Sequence, residues 1–226
     1  MRLRTGRTAR GRPGPGVLLH PSLRAWLGPV AVLATLVVAV LGILVAGDGG
    51  DGAVDLWLGP AEAGAGPWRD VALAVDFWGE PAGAAALVVG AVTGCLALRR
   101  PRAAVLFVAG TGAAVAATTL LKPLVGRTIH GDNLSYPSGH TAFVTACALV
   151  LAMLATGRPG VGRTACAAVV LGAALVAGAA MGWAQVALGA HHPTDVVGGW
   201  CTAAAVIPAT AWLIDRGADA GRRRRR

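Results

Sequence analysis

Long apolar runs constrain this chain more than any other feature, because few folds can bury them. A helix needs about 20 mostly apolar residues to cross the hydrocarbon core of a bilayer, and six segments approach that length. Only 14% of the residues are charged and the mean hydropathy is +0.62, a composition typical of membrane proteins with several spans. We therefore predict an all-α membrane protein, a bundle of six transmembrane helices over Gly28–Gly47, Pro81–Leu98, Ala103–Leu121, Thr141–Thr156, Thr164–Gly182 and Val196–Ile214.

The basic residues predict how these helices are oriented. With the N-terminus in the cytoplasm, all but three of the 20 lysines and arginines fall on cytoplasmic segments, in agreement with the positive-inside rule. The predicted division is a basic cytoplasmic tail over residues 1–27, a membrane domain over 28–214 and an arginine-rich cytoplasmic tail over 215–226. We interpret both tails as binding anionic lipid headgroups of the bilayer rather than nucleic acid. The chain is then a multi-pass protein of the cytoplasmic (plasma) membrane.

Two polar stretches interrupt the apolar pattern, and this topology puts both at the non-cytoplasmic face. Gly131–Phe143 reads GDNLSYPSGHTAF and leads into the fourth span, while Gly189–Val197 reads GAHHPTDVV and leads into the sixth. A third polar region, Ala53–Glu80, contains three tryptophans. Tryptophan favours the membrane–water boundary, so we predict an interfacial loop with partly helical stretches there.

The segment Tyr136–His140 predicts an anion site at the start of a helix. A turn of Pro, Ser and Gly before a helix can leave backbone N–H groups free, and the helix dipole favours an anion there. Ser138 could cap the helix or donate a hydrogen bond to a ligand. His140 could give or take a proton. A plain helix cap followed by a surface histidine explains the same residues equally well.

The pair His191 and Asp195 predicts an oriented imidazole. Pro193 suits the first turn of a helix, and a spacing of four residues allows the Asp195 carboxylate to hold the His191 ring. A neutral imidazole held in this way is a competent nucleophile. The alternative for this pair is a capped span with an interfacial histidine, and we favour that interpretation for the neighbouring His192.

Two cations, Lys122 and Arg127, follow the third span on the same face. Snorkelling to the interface would explain both, but cations beside two histidines and a helix start also indicate a phosphate pocket. A zinc site made of the histidines and Asp195 is less favoured, since these cations would repel a metal ion and no H-E-x-x-H pattern is present. The four cysteines lie in apolar runs without CxxC spacing, which indicates core residues.

These motifs together resemble those of the type 2 phosphatidic acid phosphatase family, which are K-x6-R-P, P-S-G-H and S-R-x5-H-x3-D. The second motif is intact from Pro137 to His140. His191 and Asp195 match the histidine and aspartate of the third motif, and Lys122 begins the first. The resemblance runs from about Lys122 to Asp195, and the six-span layout extends it to most of the chain.

The chain departs from this pattern at two phosphate-binding arginines. Ile129-His130 stands where the first motif has Arg-Pro, and Ala184-Gln185 stands where the third has Ser-Arg. Arg127, two residues early, is a candidate replacement for the first arginine. Gln185 offers a hydrogen bond but no charge in place of the second.

The resemblance implies a role for each remaining residue. His191 would attack phosphorus and form a phosphohistidine, Asp195 would hold its ring, and His140 would protonate the leaving oxygen and then activate water. The phosphoryl oxygens would be held by Lys122, Arg127, Ser138, Gly139 and Gln185. This mechanism needs no metal or cofactor.

The predicted function is metal-independent hydrolysis of a lipid phosphate or diphosphate at the non-cytoplasmic face. Polyprenyl diphosphate, phosphatidic acid and phosphatidylglycerol phosphate are the candidate substrates, and the sequence selects neither among them nor an oligomeric state. The alternative is a degenerate family member that binds phospholipid or a protein partner with weak turnover, as the missing arginines suggest.

Overall fold

A computed structural model describes residues 18, 21–58, 66–156 and 162–224, so most of the predicted N-terminal tail lies outside the described residues. In the described ranges the chain forms eight helices and one short hairpin. The elements are α1 (Pro21–Leu44), α2 (Ala53–Leu58), α3 (Pro67–Asp76), α4 (Pro81–Ala97), α5 (Pro101–Val125), β1 (Thr128–Ile129), β2 (Asn133–Leu134), α6 (Gly139–Thr156), α7 (Arg163–Ala187) and α8 (Pro193–Arg224).

The prediction of an all-α bundle with six spans is confirmed. Within the described part of the chain, five helices are long and apolar enough to cross a membrane: α1, α5, α6, α7 and α8. The number of spans is six when α3 and α4 are counted as one broken span, because the two helices pass the same test only together and meet at an angle of 52°. The region predicted as a partly helical interfacial loop contains α2 and α3.

Local chemistry accounts for where the helices begin and end. Proline stands at the first turn of α3, α4, α5 and α8, where its missing N–H costs no hydrogen bond and its fixed φ suits the helix. Gly126 ends α5 in the left-handed conformation with φ of 67°, and its N–H donates to the carbonyl of Lys122.

The last helix is longer than the sequence predicts. The sixth span is predicted to end at Ile214, whereas α8 continues to Arg224. At 1.5 Å per residue its 32 residues extend about 48 Å, well beyond a hydrocarbon core of about 30 Å. No proline after Pro208 interrupts the helix. The positive arginines in its last turn also stabilise it, because they lie at the negative end of the helix dipole. Most of the segment predicted as a tail therefore prolongs the helix.

Helix α6 is the centre of the bundle. It packs against α5, α7 and α8, while α1 lies against α8, α4 against α5 and α3 against α7. The main hydrophobic cluster joins buried side chains of α6 such as Phe143 and Leu149 to Phe107 of α5 and Ile207 of α8. Both polar stretches lead directly into helices of this cluster, α6 and α8, so their positions are fixed by the core.

Two glycines let α8 approach the turn before α6. A β-carbon at Gly198 would overlap the ring of Tyr136, and one at Gly199 would overlap the carbonyl of Ser138. The Tyr136 hydroxyl passes between the helices and donates to the carbonyl of Val38 in α1, at 2.8 Å. Because only hydrogen stands at both glycine positions, the start of α8 can lie directly against the Tyr136–Ser138 turn.

Candidate active site

The two polar stretches meet at one end of the bundle. The Ser138 N–H donates to the Asp195 carbonyl oxygen at 2.9 Å, which joins the start of α6 to the first turn of α8. The side chains of His140 and His191 interact electrostatically, as do those of Lys122 and His191. The structure thus brings together two histidines that are 51 positions apart in the sequence and a lysine in the last turn of α5.

His191 is paired with Asp195 as the spacing predicts. Its Nδ1 lies 3.4 Å from Oδ2 of Asp195, and its side chain is only 9% exposed. Burial lowers the pKa of His191, the hydrogen bond and charge of Asp195 oppose that effect, and the charges of Lys122 and His140 reinforce it, so the pKa lies below its ordinary value. The ring is therefore neutral at pH 7, which is the form a nucleophile requires.

His140 faces carboxylates that the sequence analysis did not identify. Its Nε2 lies 3.4 Å from Oε1 of Glu80 and 3.9 Å from Oδ1 of Asp76. Both acids stand at the break between α3 and α4, where Gly79 lies so close to the imidazole that a β-carbon would overlap it. The available signal was the set of scattered acids on the predicted non-cytoplasmic side, but spacing alone does not relate residue 76 to residue 140.

The same three side chains form a group that could hold a metal ion. Among the described residues, ligand atoms of Asp76, Glu80 and His140 lie within 4.8 Å of one another. Two carboxylates and an imidazole suit a divalent cation, although exposed acids such as Glu80 are common without one.

The predicted phosphate-binding groups at the start of α6 have mixed surroundings. Ser138 is fully buried, and its Oγ accepts a hydrogen bond from the Thr141 hydroxyl at 3.1 Å. The Thr141 N–H also points to this oxygen at 3.4 Å, which is a weak helix cap. Gly139 is partly exposed beside His140. Lys122 donates from Nζ to the Leu134 carbonyl at 2.9 Å and retains two further N–H donors.

Arg127 has different partners from those the sequence predicts. It is 0% exposed, and its Nη1 donates to Oδ1 of Asp195 at 2.8 Å and to the Thr194 hydroxyl at 2.5 Å. Its Nη2 donates to Oδ2 of Asp55 at 2.6 Å and to the Gly50 carbonyl at 3.1 Å. All four N–H bonds of the terminal nitrogens are thus directed to protein acceptors. This geometry does not support direct phosphate binding by Arg127, because both terminal nitrogens have protein acceptors and Nε, which has no hydrogen-bond partner among the described residues, is buried.

Gln185 also lies away from an open anion site. It is 2% exposed, and its Nε2 donates to Oδ1 of Asp76. Its own main-chain carbonyl accepts from the N–H groups of Ala190 and His191 in the turn that follows α7. These contacts connect Gln185 to the carboxylate beside His140 and to the backbone of His191, and they do not support the predicted contact with phosphate.

His192 is buried rather than placed at the interface. Only 7% of the residue is exposed, its N–H donates to Oδ2 of Asp195 at 3.0 Å, and its Nδ1 lies 2.8 Å from Oδ1 of Asp51. The interfacial interpretation of this residue is therefore wrong. The physical reason is the turn before α8, which places the His192 N–H on the Asp195 carboxylate and the His192 ring on Asp51.

An apolar groove leads to His140. It has a volume of about 570 Å³ and lies between α4, α5 and α6, with His140 and Gly139 at its polar end. Most of the other lining residues are small or aliphatic, including Ala84, Val88 and Gly112, and Phe143 adds an aromatic ring. Val108 and Val115, which also line it, are 52% and 38% exposed on the outer surface of the bundle. The groove therefore connects the histidine to the surface that faces lipid.

Comparisons with known proteins agree with this architecture. The sequence model of the PAP2 superfamily matches residues 82–218. The fold is similar to the crystal structure of the first transmembrane PAP2 type phosphatidylglycerolphosphate phosphatase from Bacillus subtilis, with a TM-score of 0.62 and 21% identity. That similarity covers 84% of this chain and 96% of the other, and at this identity it concerns the fold alone. A search of curated proteins finds no match.

Proposed function

Because the chain belongs to the PAP2 superfamily, whose members are phosphatases, we propose that it is a membrane phosphatase that hydrolyses a lipid phosphate or diphosphate through a phosphohistidine. The observation that carries this proposal is the meeting of two motifs: a neutral His191 held by Asp195, beside His140 at the polar end of an apolar groove. Each histidine by itself fits a structural role, but the pair supplies a nucleophile and a proton donor.

The proposed first step is attack of His191 on phosphorus. The Nδ1 proton stays with the Asp195 hydrogen bond, so Nε2 is the nucleophilic nitrogen. A P–N bond forms while the P–O bond to the lipid breaks, and protonated His140 gives its proton to the departing oxygen. Asp195 stabilises the imidazolium character that develops on His191.

The second step returns both histidines to their starting states. Neutral His140 removes a proton from a water molecule, the water oxygen attacks phosphorus, and the P–N bond breaks to release phosphate. Lys122 and the Gly139 N–H are the groups best placed to stabilise the phosphoryl oxygens, since Arg127 and Gln185 have protein partners.

The groove supports a lipid rather than a soluble ester as substrate. An acyl or prenyl chain lying along α5 would meet aliphatic side chains, while its phosphate would reach the polar end beside Gly139. The substrates we propose are polyprenyl diphosphate, phosphatidic acid and phosphatidylglycerol phosphate, the last being the one named for the Bacillus subtilis protein. The charge distribution supports a site on the non-cytoplasmic face of the plasma membrane.

Phosphate release in detergent tests this proposal. Purified protein is given each of the three lipids, with and without EDTA, and the same assays are run on His191→Ala. We expect release that survives EDTA and is lost in the variant, because no other buried imidazole is paired with Asp195 through its ring in the described residues. Equal release by both proteins would contradict the histidine mechanism. Release abolished by EDTA would instead favour a cation at Asp76, Glu80 and His140.

The alternative function, phospholipid binding with weak turnover, is favoured by the position of Arg127. With that guanidinium bound to two carboxylates, the phosphate site has one charged clamp, Lys122. Loss of one charged group can slow a reaction about 100-fold or more. Saturable lipid binding without phosphate release from any of the three substrates would support this alternative.

A further inference from the structure

A buried carboxylate outside the family motifs reaches the site from α2. Asp55 is 2% exposed and lies in a six-residue helix that follows α1. Its Oδ1 accepts from the Thr194 N–H at 2.8 Å, and its Oδ2 accepts from the Gly52 N–H at 3.2 Å and from Arg127. Burial by itself would raise the pKa of Asp55, but the hydrogen bonds from Thr194 and Arg127 outweigh it and lower the pKa below its ordinary value. Asp55 is therefore ionised.

Arg127 connects this carboxylate to the nucleophile. One terminal nitrogen binds Asp55 at 2.6 Å and the other binds Asp195 at 2.8 Å, and all three side chains are 0% exposed. The second oxygen of Asp195 faces Nδ1 of His191. The contacts thus run without interruption from Asp55 through Arg127 and Asp195 to His191.

We propose that Asp55 and Arg127 are positioning residues for the nucleophile, an inference that rests on the proposed function. Arg127 fixes the orientation of the Asp195 carboxylate, and Asp55 fixes Arg127 and the first turn of α8. The segment containing α2 is then part of the catalytic unit, although it lies 139 residues before Thr194 in the sequence.

The charges of this cluster act on the protonation of His191 in addition to the burial of its ring, and Asp195 is the member in direct contact with it. Asp55, Arg127 and Asp195 together carry a net charge of −1, as a single aspartate would. The other groups that act on His191 are Lys122 from α5 and His140 from α6. Any change in the net charge of the cluster changes the potential at the His191 ring.

Two neutralising variants are expected to have opposite effects. Asp55→Asn raises the net charge of the cluster to zero, which favours neutral His191 and moves the acid limb of the pH–rate profile to lower pH. Arg127→Met lowers it to −2, which favours imidazolium and moves the limb to higher pH. We expect shifts of about half a pH unit or more in each direction, with kcat reduced about 10- to 100-fold and KM changed much less.

A double variant separates the effect of the net charge from the effect of positioning. It also avoids the misfolding that an unpaired buried charge could cause. Arg127→Met alone leaves two buried carboxylates uncompensated, which destabilises a protein strongly. Asp55→Asn combined with Arg127→Met returns the net charge to −1, so the acid limb is expected near that of the wild type while kcat stays low. Asp70→Asn, an exposed carboxylate on α3, is the matched control and is expected to change neither quantity.

Failure of the positioning proposal can be distinguished from failure of the proposed phosphatase function. If the wild type releases phosphate and folded Asp55 and Arg127 variants show its kcat and its pH profile, the proposal is overturned. If the wild type releases no phosphate from any lipid, the proposed function fails, and the charge coupling is tested by NMR titration of ¹⁵N-labelled histidine. A His191 resonance that titrates at the same pH in the wild type and in both single variants would then overturn the proposal. Displacement in opposite directions in Asp55→Asn and Arg127→Met, with the double variant near the wild type, would support it.

Discussion

At the scale of single residues, Asp195 has more hydrogen-bond partners in the site than its motif suggests. One carboxylate accepts hydrogen bonds from Arg127, from the His192 N–H and from the His191 ring, and it is 0% exposed. A buried carboxylate needs such partners, because an unpaired charge away from water costs several kcal/mol. The contacts that keep Asp195 ionised are also those that fix the tautomer and direction of the His191 ring.

The proposed acid role of His140 predicts a dependence on the leaving group. His140→Gln is expected to slow release from phosphatidic acid by about 100-fold or more, since an alkoxide needs a proton as it departs. The loss is expected to be much smaller with p-nitrophenyl phosphate, whose phenolate leaves without one. Steady-state rates with both substrates measure this, and His130→Gln in the exposed β1–β2 turn is the control. Equal losses with the two substrates would exclude His140 as the general acid.

At the scale of elements, the break between α3 and α4 shapes the site. A straight second span would carry Asp76 and Glu80 away from His140, whereas the 52° bend turns both acids and Gly79 onto its ring. Pro81 starts α4 directly after the break, and its missing N–H makes this a favourable place to restart a helix. After this bend, α4 runs beside α5, and the apolar groove lies between the two helices.

A bulky side chain in the groove is expected to select against long lipids. Gly112 lines the groove and has open space at its β-carbon position, so Gly112→Phe would fill that space without a backbone clash. We expect kcat/KM for a long-chain phosphatidic acid to fall at least about tenfold, with little change for a short-chain soluble analogue. Gly90→Phe is the matched control, since Gly90 is exposed on α4 with open space and does not line the groove. Equal losses for both lipids would argue against chain binding here.

At the scale of the whole molecule, aromatic and basic residues are distributed differently at the two ends of the bundle. Trp57 and Trp68 are 82% and 68% exposed near the site, as expected of side chains at a lipid headgroup boundary. At the opposite end, Arg216 stacks on Trp212 at 4.2 Å and α8 ends in arginines. This distribution supports an orientation with the site outside and the end of α8 in the cytoplasm.

Cysteine labelling tests that orientation. Asp132→Cys lies in the exposed turn beside the site and Ala220→Cys lies near the end of α8, while the four native cysteines are buried. A membrane-impermeant maleimide is expected to label position 132 in intact cells and position 220 only after permeabilisation. The reverse pattern would place the site in the cytoplasm and contradict the proposed topology.

The helices of the bundle were predictable because membrane spans are determined by local composition. A helix satisfies its own backbone hydrogen bonds, so about 20 apolar residues suffice to define a span without knowledge of its neighbours. The pairing of His191 with Asp195 was predictable for the same reason, since a spacing of four places both on one helical face. The broken second span was not, because an angle between helices depends on what packs there. The continuation of α8 was missed for another reason: the predicted span ends where the apolar residues end, whereas the helix goes on through a mostly exposed, polar stretch to Arg224.

What the sequence determined by itself was therefore the spans, the motif pairs and the side of the membrane that the charges favour. Only the tertiary structure decided the partners of Arg127, which lie 68 and 72 residues away on α8 and α2, and the contact of Gln185 with Asp76, 109 residues distant. The physical reason is that a buried charge takes whichever opposite charge the packing brings within reach, and this depends on close approaches such as that of Gly199 to Ser138. A sequence motif gives the type of residue at a position, and the packing of distant elements decides which groups that residue contacts.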